Sequence, residues 1–360
     1  MATSEFVSEF VSLTRISLEW GLFNAAELSK SLNNSLLIEY NMGILRKDYI
    51  LDRWVYYASS RGKRPREFRN VTLKEESRLC LFCPGNEKLT PPEIGKVEYK
   101  GGWKMRWFLN KFPAVDNKKN SFSKKKNFFS SKKKFFSESH AYGCHEIVIE
   151  TSHHKSQLAD LPERDIMGLL EVYKVRVHEL SRLKNISYVQ VFKNHGKDAG
   201  TSLLHSHSQI VALPQVPALI NDEVNAAGKY KKCPYCEILK AESKSKRKIF
   251  ETKNVVAFAP FASRFNYEAW IFPKQHKRNF EELSWQEFKD IASAMKKILV
   301  KLKKINASYN FYVHYSPSKE NLHFHIEIAP RIATWAGFEL STEFIINSVM
   351  PEDAARFYRE

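Results

Sequence analysis

The sequence predicts an α+β protein built from two tandem copies of one domain, each an antiparallel sheet with helices packed on it. Three observations predict this architecture. A Cys-x-x-Cys pair occurs twice, each pair is followed by the same order of strand and helix patterns, and each copy ends in a strand that begins with His-x-His. An internal duplication explains this repeated order better than chance does.

The first copy follows Cys80 and Cys83. Its segment HEIVIET (145–151) alternates as a strand does, and Asp160 with Glu163 forms a capping pattern that predicts the start of a helix. Strands are then predicted at SYVQVFKNHG (187–196) and HSHSQIVALP (205–214). The apolar residues at helical spacing in this copy are Ile166, Leu169, Leu170, Tyr173, Val177 and Leu180.

The second copy follows Cys233 and Cys236 with the same plan. A strand is predicted at YEAWIFPKQ (267–275), and Ser284 with Glu287 predicts a helix start. Two strands follow at YNFYVHYSP (309–317) and HFHIEIAP (323–330). The apolar residues of its helix are Phe288, Ile291, Met295, Ile298, Leu299 and Leu302. The predicted domains are therefore 44–218 and 219–360, preceded by an N-terminal extension, 1–43, to which no role is assigned.

The charge of the chain is concentrated in one segment. Residues 114–136 contain eight lysines and one acidic residue, and so supply +7 of the net charge of +17. Like charges in blocks resist packing, so a mobile surface loop is predicted there. A nucleic-acid-binding arm is the alternative, but no nucleic-acid-binding module flanks the loop, and nucleic acid is not the expected partner.

Composition narrows the class of protein further. The 360 residues are rich in aromatic side chains and poor in glycine, as expected of a globular chain rather than a disordered one. The apolar runs are too short to span a membrane, so no membrane partner is expected. Acidic residues near the start and the lack of a basic leading segment argue against a secretory or transit signal. The expected compartment is the cytoplasm.

The cysteine pairs point to metal rather than to disulfides, because a reducing compartment keeps thiols free and thiolates bind zinc well. The duplication supplies two histidines to each pair, which gives the four ligands of a closed tetrahedral site. His153 and His325 compete for places in these sets. The predicted sets are Cys80, Cys83, His154 and His205 in the first half, and Cys233, Cys236, His276 and His323 in the second. Two structural zinc sites per chain are expected, and the second ion could be iron.

Only the first half keeps the features that phosphate chemistry needs. Its final strand reads His205, His207, Gln209 and follows a glycine-bearing turn whose backbone amides could bind an anion. The second half ends in His323, His325 and Glu327, without glycine in the preceding turn. One active site per chain is therefore predicted, in the first half. Cys144 and His145 are interpreted as structural strand residues.

The chain resembles the galactose-1-phosphate uridylyltransferase family, a branch of the histidine triad superfamily with two fused triad-type domains. The resemblance covers about residues 44–360. Seven elements occur in the family's order: the opening strand with Arg61-x-x-Arg64-Pro, CLFCPGNE (80–87), MRWFLNKFPAV (105–115), the block 194–209, CPYC (233–236), PKQH (273–276) and AGFELSTEFIINSVMPEDAA (336–355).

The resemblance implies roles for individual residues. His207 would be the nucleophile, beside His205 as a metal ligand, with Gln209 and Ser202 hydrogen-bonded to the phosphoryl oxygens during catalysis. The residues implied to bind substrate are Arg61, Arg64, Asn110, Asn194, Gly200, Thr201, Ser202, Gln209, Gly337, Phe338 and Glu339. A homodimer is implied too, because a second subunit completes the active site in this family.

The implied reaction is exchange of a nucleoside monophosphate between a nucleotide sugar and a sugar 1-phosphate, with UDP-glucose and galactose 1-phosphate as the expected pair. Two departures affect that substrate. Ser206 stands where the best-known members have proline, and the tail INSVMPEDAA is similar to archaeal-type and plant adenylyltransferase-like members. A phosphorylase acting on an ADP-sugar or a dinucleoside polyphosphate is one alternative. A non-catalytic protein that binds nucleotides or RNA is the other.

Overall fold

The computed structural model describes residues 44–51, 54–57, 79–116, 141–318 and 321–360. Several sequence predictions lie outside these ranges. They are the extension 1–43, the arginines Arg61 and Arg64, and the lysine-rich segment from residue 117 onward.

Ten strands form one sheet in which every neighbouring pair is antiparallel. The first half supplies β3 (Glu93–Tyr99), β4 (Gly102–Leu109), β5 (Cys144–Ile149), β6 (Tyr188–His195) and β7 (His207–Leu213). The second half supplies β8 (Lys248–Glu251), β9 (Val255–Phe258), β10 (Ala269–Pro273), β11 (Tyr309–His314) and β12 (His325–Pro330). The order across the sheet is β3-β4-β5-β7-β6-β11-β12-β10-β9-β8.

The two halves therefore meet in the middle of a continuous sheet, where β6 pairs with β11. Asn194 lies opposite Asn310 in this pairing, and the Asn310 side-chain amide donates to Asn194 Oδ1 at 2.8 Å. The same amide donates to the carbonyl oxygen of Ala199 at 2.9 Å. The second half thus holds the turn that follows β6, which is the turn predicted to bind phosphate.

Two long helices cover the sheet, α1 (Glu163–Ser181) and α4 (Trp285–Lys304). The apolar residues predicted for both helix faces are buried, which confirms the helical periodicity. The predicted cap of α4 is confirmed, because Ser284 and Glu287 form a capping box. The predicted cap of α1 is wrong: Asp160 closes a short helical turn, Leu158–Asp160, by accepting from the Gln157 amide at 2.9 Å, and α1 begins after Pro162.

Smaller elements complete the fold. The other α-helices of the described ranges are α2 (Ala218–Gly228), α3 (Pro234–Glu242), α5 (Gly337–Thr342) and α6 (Pro351–Arg359). A second sheet contains β1 (Ile44–Lys47), β2 (Trp54–Tyr57) and β13 (Ile345–Asn347). Within the described ranges, no helix is long and apolar enough to cross a membrane. The predicted α+β class, with antiparallel strands and packed helices, is confirmed.

Candidate active site and metal clusters

The turn after β6 is built around two glycines with positive φ. Gly196 has φ of 81° and Gly200 has φ of 83°, and a short helical turn, Lys197–Ala199, lies between them. A Cβ atom on Gly196 would lie 2.3 Å from the Ser308 hydroxyl oxygen, so a side chain would clash there as well as being strained. This geometry explains why the sequence places glycine at both positions.

The turn leads into the histidine pair through an exposed segment. The Thr201 backbone amide donates to the Gly196 carbonyl oxygen at 3.3 Å, and the Thr201 hydroxyl donates to the Leu203 carbonyl oxygen at 3.2 Å. Gly200 and Ser202 are exposed. The predicted phosphate-contacting residues of this segment therefore lie at the surface, directly before the buried His205.

His207 is the first residue of β7, and its ring is fixed by the backbone. Its Nδ1 atom lies 2.8 Å from the His205 carbonyl oxygen, to which the neutral ring donates. Among the described residues, none hydrogen-bonds to its Nε2 atom, and the residue as a whole is 7% exposed. Burial, followed by the nearby Lys193 ammonium, lowers the pKa of His207. The ring is thus held neutral, with the Nε2 lone pair available.

A buried ion pair lies behind the histidine strand. The Lys193 ammonium donates to Glu150 Oε2 at 2.7 Å, to the His207 carbonyl oxygen at 2.9 Å and to the Ser206 hydroxyl at 3.1 Å. Ser206 in turn donates to the same carboxylate oxygen of Glu150 at 2.5 Å. Burial lowers the pKa of Lys193, and the Glu150 carboxylate opposes this effect. Ser206 therefore has a specific polar role that proline could not fill.

His145 contacts the predicted catalytic residue Gln209, although the sequence pattern assigned it to strand packing. Its Nε2 atom lies 2.9 Å from Gln209 Oε1, and its Nδ1 atom accepts from the Ala114 backbone amide at 3.1 Å. The Asn110 side-chain nitrogen lies 3.2 Å from the same Nε2 atom. The sheet pairs β5 with β7, which places Gln209 opposite Ile147 and brings these side chains together.

The structure brings the first predicted metal set together. The Cys80 sulfur lies 3.5 Å from His205 Nδ1, and the Cys83 sulfur lies 3.4 Å from His154 Nδ1 and 3.7 Å from His205 Nδ1. A tetrahedral ion at ordinary zinc bond lengths would separate sulfur and nitrogen by about 3.6 Å. The far nitrogen of His205 faces the Thr151 carbonyl oxygen at 2.7 Å, which turns Nδ1 toward the thiols. This set therefore fits zinc.

The second set has the same design. The Cys233 sulfur lies 3.9 Å from His323 Nδ1, and the Cys236 sulfur lies 3.9 Å from His276 Nδ1 and 3.7 Å from His323 Nδ1. His323 Nε2 faces the Pro273 carbonyl oxygen at 2.9 Å, as its counterpart in the first half does with a backbone carbonyl. Of the competing histidines, neither His153 nor His325 belongs to a cluster that contains cysteine.

Phe82 connects the first metal cluster to the histidine pair. It lies within the loop between Cys80 and Cys83, and its ring contacts the His207 ring edge-on with centroids 5.4 Å apart. The His205 ring lies 6.2 Å away in a similar edge contact. The shape of the cysteine loop therefore determines the packing against His207.

In the second half, the residue equivalent to His207 is inaccessible. His325 also has Nδ1 2.8 Å from a backbone carbonyl oxygen, that of His323, but it is fully buried and stacks on Phe272 with centroids 4.6 Å apart. Its Nε2 atom is sealed from solvent and lies 3.5 Å from Glu327 Oε1. Glu327, which stands where the first half has glutamine, accepts from Arg264 at 2.8 Å. A substrate could not reach this histidine.

A third cluster was not predicted from the sequence. It contains Glu223, His314, His325 and Glu327, all buried. Glu223 is contributed by α2 and accepts from His314 Nδ1 at 3.0 Å. The sequence offered one indication of this cluster: Glu327 stands in the second His-x-His strand where the first half has glutamine. Nothing in the sequence indicated that Glu223 lies beside it.

The segment predicted to contact the sugar forms α5. Phe338 is 46% exposed, and Glu339 accepts from the Ala336 backbone amide at 2.9 Å, which caps the helix. These contacts are local, and the implied contact of this segment with sugar stays a prediction. Asn110, by contrast, lies near Gln209, because both side chains lie close to His145 Nε2.

Comparisons with known proteins agree with this geometry. Residues 40–217 match the family described as galactose-1-phosphate uridyl transferase, N-terminal domain, and residues 232–334 match the family described as scavenger mRNA decapping enzyme C-term binding. The chain is 34% identical to ADP-glucose phosphorylase of Arabidopsis thaliana, over 88% of this chain and 92% of that protein. It is 31% identical to galactose-1-phosphate uridylyltransferase of Thermotoga maritima, over 88% and 98% respectively.

Solved structures give the same result. The crystal structure of the Arabidopsis thaliana ADP-glucose phosphorylase with bound ADP-glucose superposes with a TM-score of 0.75, at 33% identity, covering 88% of this chain and 99% of that one. A structure of uridylyltransferase superposes with a TM-score of 0.66, at 28% identity, covering 88% and 97%. The fold and the site define a nucleotidyltransferase of the histidine triad type. The chain belongs to the galactose-1-phosphate uridylyltransferase family.

Proposed function

We propose that the protein transfers a nucleoside monophosphate from a nucleotide sugar to a phosphate-bearing acceptor through a nucleotidyl-histidine at His207. One observation carries the proposal. Its Nδ1 atom donates to the His205 carbonyl oxygen, while no described residue is hydrogen-bonded to its Nε2 atom and the residue keeps 7% exposure. A neutral imidazole fixed in this way can attack phosphorus without losing a proton first.

The reaction has two displacements. In the first, the His207 Nε2 lone pair forms a bond to the α-phosphorus, and the bond from that phosphorus to the bridging oxygen breaks. The sugar 1-phosphate leaves with the electron pair. In the second displacement, an oxygen of the acceptor phosphate attacks the same phosphorus and the P–N bond breaks. His207 is then neutral again, so covalent catalysis divides the transfer into two similar steps.

The surrounding residues have supporting roles in this proposal. The amide of Gln209 and the backbone and hydroxyl groups of Gly200, Thr201 and Ser202 would hydrogen-bond the phosphoryl oxygens, and Asn194 belongs to the same group. Asn110 would contact the base. Arg61 and Arg64 would offset phosphate charge, and Gly337, Phe338 and Glu339 would contact the sugar; these roles come from family resemblance.

For the donor and acceptor we propose UDP-glucose and a hexose 1-phosphate such as galactose 1-phosphate. A second candidate is phosphorolysis of an ADP-sugar, with inorganic phosphate as acceptor. The similarity to the Arabidopsis thaliana ADP-glucose phosphorylase, at 34% identity and a TM-score of 0.75, favours this candidate. Both reactions use the same nucleotidyl-histidine chemistry.

Labelled UDP-glucose and ADP-glucose test the proposal directly. Each carries its label in the nucleoside monophosphate part and is incubated with the purified protein. The label bound to the protein is then measured after denaturation at high pH, where a phosphorus–nitrogen bond to histidine survives. We expect label from at least one donor in the wild type and none in His207→Asn. Adding galactose 1-phosphate or inorganic phosphate to the labelled protein then identifies the acceptor. Absence of label from both donors in the wild type would refute the proposal.

Zinc in both Cys2His2 clusters belongs to the proposal as well. Bound zinc would hold the cysteine loops and the histidine strands together, and we assign it no step of the reaction. The thiol groups would remain reduced in the cytoplasm, the compartment we propose.

A homodimer is proposed from the surface around the site. Two strongly exposed apolar side chains adjoin site residues: Phe112 is 81% exposed and follows Asn110 closely, and Leu204 is 63% exposed and precedes His205. Burial of these side chains in a second subunit would stabilise the assembly and place the partner next to the nucleotide site. Sedimentation of the purified protein at several concentrations tests the expected dimer.

A further inference from the structure

The contact between His145 and Gln209 determines which end of the Gln209 amide faces the substrate. An amide oxygen and an amide nitrogen have similar shapes, so the orientation must follow from the hydrogen bonds around them. His145 Nε2 lies 2.9 Å from the Gln209 side-chain oxygen. This contact is favourable only when the imidazole carries its proton on Nε2. The Asn110 side-chain nitrogen, a donor whose oxygen accepts from the Phe112 amide, lies farther from Nε2, at 3.2 Å, and makes no hydrogen bond to it in this tautomer.

The backbone fixes that tautomer. The amide of Ala114 donates to His145 Nδ1 at 3.1 Å, and a backbone amide cannot exchange its donor for an acceptor. Nδ1 must therefore carry the lone pair. Burial lowers the pKa of His145, with the Gln209 contact opposing, so the ring is neutral and its single proton is on Nε2.

The tautomer of His145 determines the orientation of the Gln209 side-chain amide. Its oxygen is occupied by the His145 N–H group, which leaves the amide nitrogen as the end that can meet a ligand. A phosphoryl group presents only acceptor oxygens, so a donor is required there. With the opposite orientation, the amide oxygen would face the phosphoryl oxygens and repel them.

The second half offers no comparable arrangement. The residue at the position of Gln209 is Glu327, which cannot donate while ionised and accepts from Arg264 at 2.8 Å. Among the described residues, this donor arrangement is thus found in the half whose second histidine keeps some exposure, His207.

We propose that His145 is a positioning residue for nucleotidyl transfer: its Nε2–H group holds the oxygen of Gln209, so that the amide nitrogen of Gln209 donates to the phosphoryl group in the transition state. The proposal rests on the proposed function, since it requires transfer at His207. It gives a chemical role to a histidine whose sequence pattern indicates only a strand.

Single-turnover formation of the labelled nucleotidyl-enzyme tests the role, with UDP-glucose and ADP-glucose as donors. For His145→Leu we expect the maximal rate to fall about tenfold or more, while half-saturation by the donor changes less than about threefold, because the lost contact acts mainly in the transition state. For His145→Gln, whose amide nitrogen can replace Nε2–H, we expect most of the rate to return. Cys144→Ala, on the same strand, should keep the wild-type rate.

A double-mutant cycle separates positioning from general packing. We expect Gln209→Ala to lose about a hundredfold in rate, and His145→Leu to add nothing further in that background, because the two changes remove one interaction. Multiplicative losses would overturn the proposal. So would a wild-type rate in His145→Leu, or a His145→Gln variant as slow as His145→Leu.

A measurement on the unaltered protein covers the case in which the leucine variant does not fold. Long-range hydrogen–nitrogen correlation spectra of histidine-labelled protein report the tautomer of each neutral ring. We expect His145, assigned by loss of its signal in His145→Gln, to be protonated on Nε2. An Nδ1-protonated or doubly protonated ring would overturn the proposal. Failure of the wild type to form any nucleotidyl-enzyme is a different result, which overturns the proposed function itself.

Discussion

Nδ1 of His207 lies 2.8 Å from the carbonyl oxygen of His205, and the same 2.8 Å contact joins His325 to His323 in the other half. The backbone geometry of the two histidine pairs is therefore alike. Their surroundings differ, because His207 is 7% exposed whereas His325 is fully buried, with its Nε2 atom sealed from solvent. The exposure of the second histidine, rather than its backbone contact, distinguishes the two halves.

The first prediction compares these two histidines. We expect His207→Asn to reduce transfer by about 10⁴-fold or more, because a nucleophile is lost. His325→Asn removes a ring with the same backbone contact but no access to substrate. It should keep the wild-type rate per folded molecule while lowering thermal stability, since the ring is fully buried. Activity assays paired with thermal melts check both outcomes, and an inactive, folded His325→Asn protein would contradict this division of roles.

The second prediction concerns the buried Lys193–Glu150 pair. Lys193→Met leaves the Glu150 carboxylate without its cation, and removal of one member of a buried pair costs about 3–5 kcal/mol. We therefore expect a large fall in the free energy of unfolding, measured in urea. Combining it with Glu150→Gln removes the uncompensated charge and should restore part of the loss. A double variant as unstable as the single one would show that the charge is not the cause.

The third prediction compares the two metal clusters. Elemental analysis of the purified protein should find two zinc ions per chain, and Cys80→Ala or Cys233→Ala should each remove one. Only the first cluster is connected to His207 through Phe82, whose ring lies 5.4 Å from the histidine ring. We therefore expect Cys80→Ala to reduce the rate of nucleotidyl-enzyme formation more than Cys233→Ala does. Equal losses in two equally stable variants would argue against this connection.

The fourth prediction concerns stability in acid. Burial, reinforced by the Lys193 ammonium, lowers the pKa of His195 to about 4, and its ring stacks on Tyr309 with centroids 4.7 Å apart. In the unfolded chain, His195 has the ordinary histidine pKa of about 6.5 and binds its proton at higher pH than in the folded protein. Proton binding therefore favours the unfolded state as the pH falls from about 6.5 to about 4. The folded state thus keeps this stability above about pH 6.5 and loses it progressively below.

His195→Phe tests this effect, because it preserves stacking and cannot titrate. Between pH 7 and pH 5, the variant should lose about 1–2 kcal/mol less unfolding free energy than the wild type. Urea titrations at the two pH values provide the comparison. His178→Phe is the control: it removes a surface histidine that is paired with Glu281, and it should not reproduce the smaller loss expected for His195→Phe. An unchanged pH dependence in His195→Phe would refute the assignment.

The sequence predicted the parts of the molecule that follow local rules. Apolar spacing identified α1 and α4, and the repeated cysteine and histidine pattern identified two clusters that the structure assembles. The cap of α1 was predicted wrongly, because Asp160 can cap either of two adjacent turns and sequence spacing does not choose between them.

Contacts between segments that are far apart in the sequence could not be predicted from apolar spacing or motif patterns. His145 and Gln209 are adjacent only because β5 and β7 pair in one particular register. Glu223 on α2 contacts His314 on β11 although 91 residues separate them in the chain. Neither contact has a sequence spacing of its own, so each depends on the completed tertiary structure.

The pairing of β6 with β11 also determines whether assembly of the two halves depends on protein concentration. If the two halves were separate polypeptides, each would expose an unsatisfied edge strand, and the turn held by Asn310 would form only after a collision between molecules. A single polypeptide makes that encounter intramolecular, with an effective concentration that dilution cannot lower. One half could then lose its own chemistry and persist as a permanently tethered support for the other.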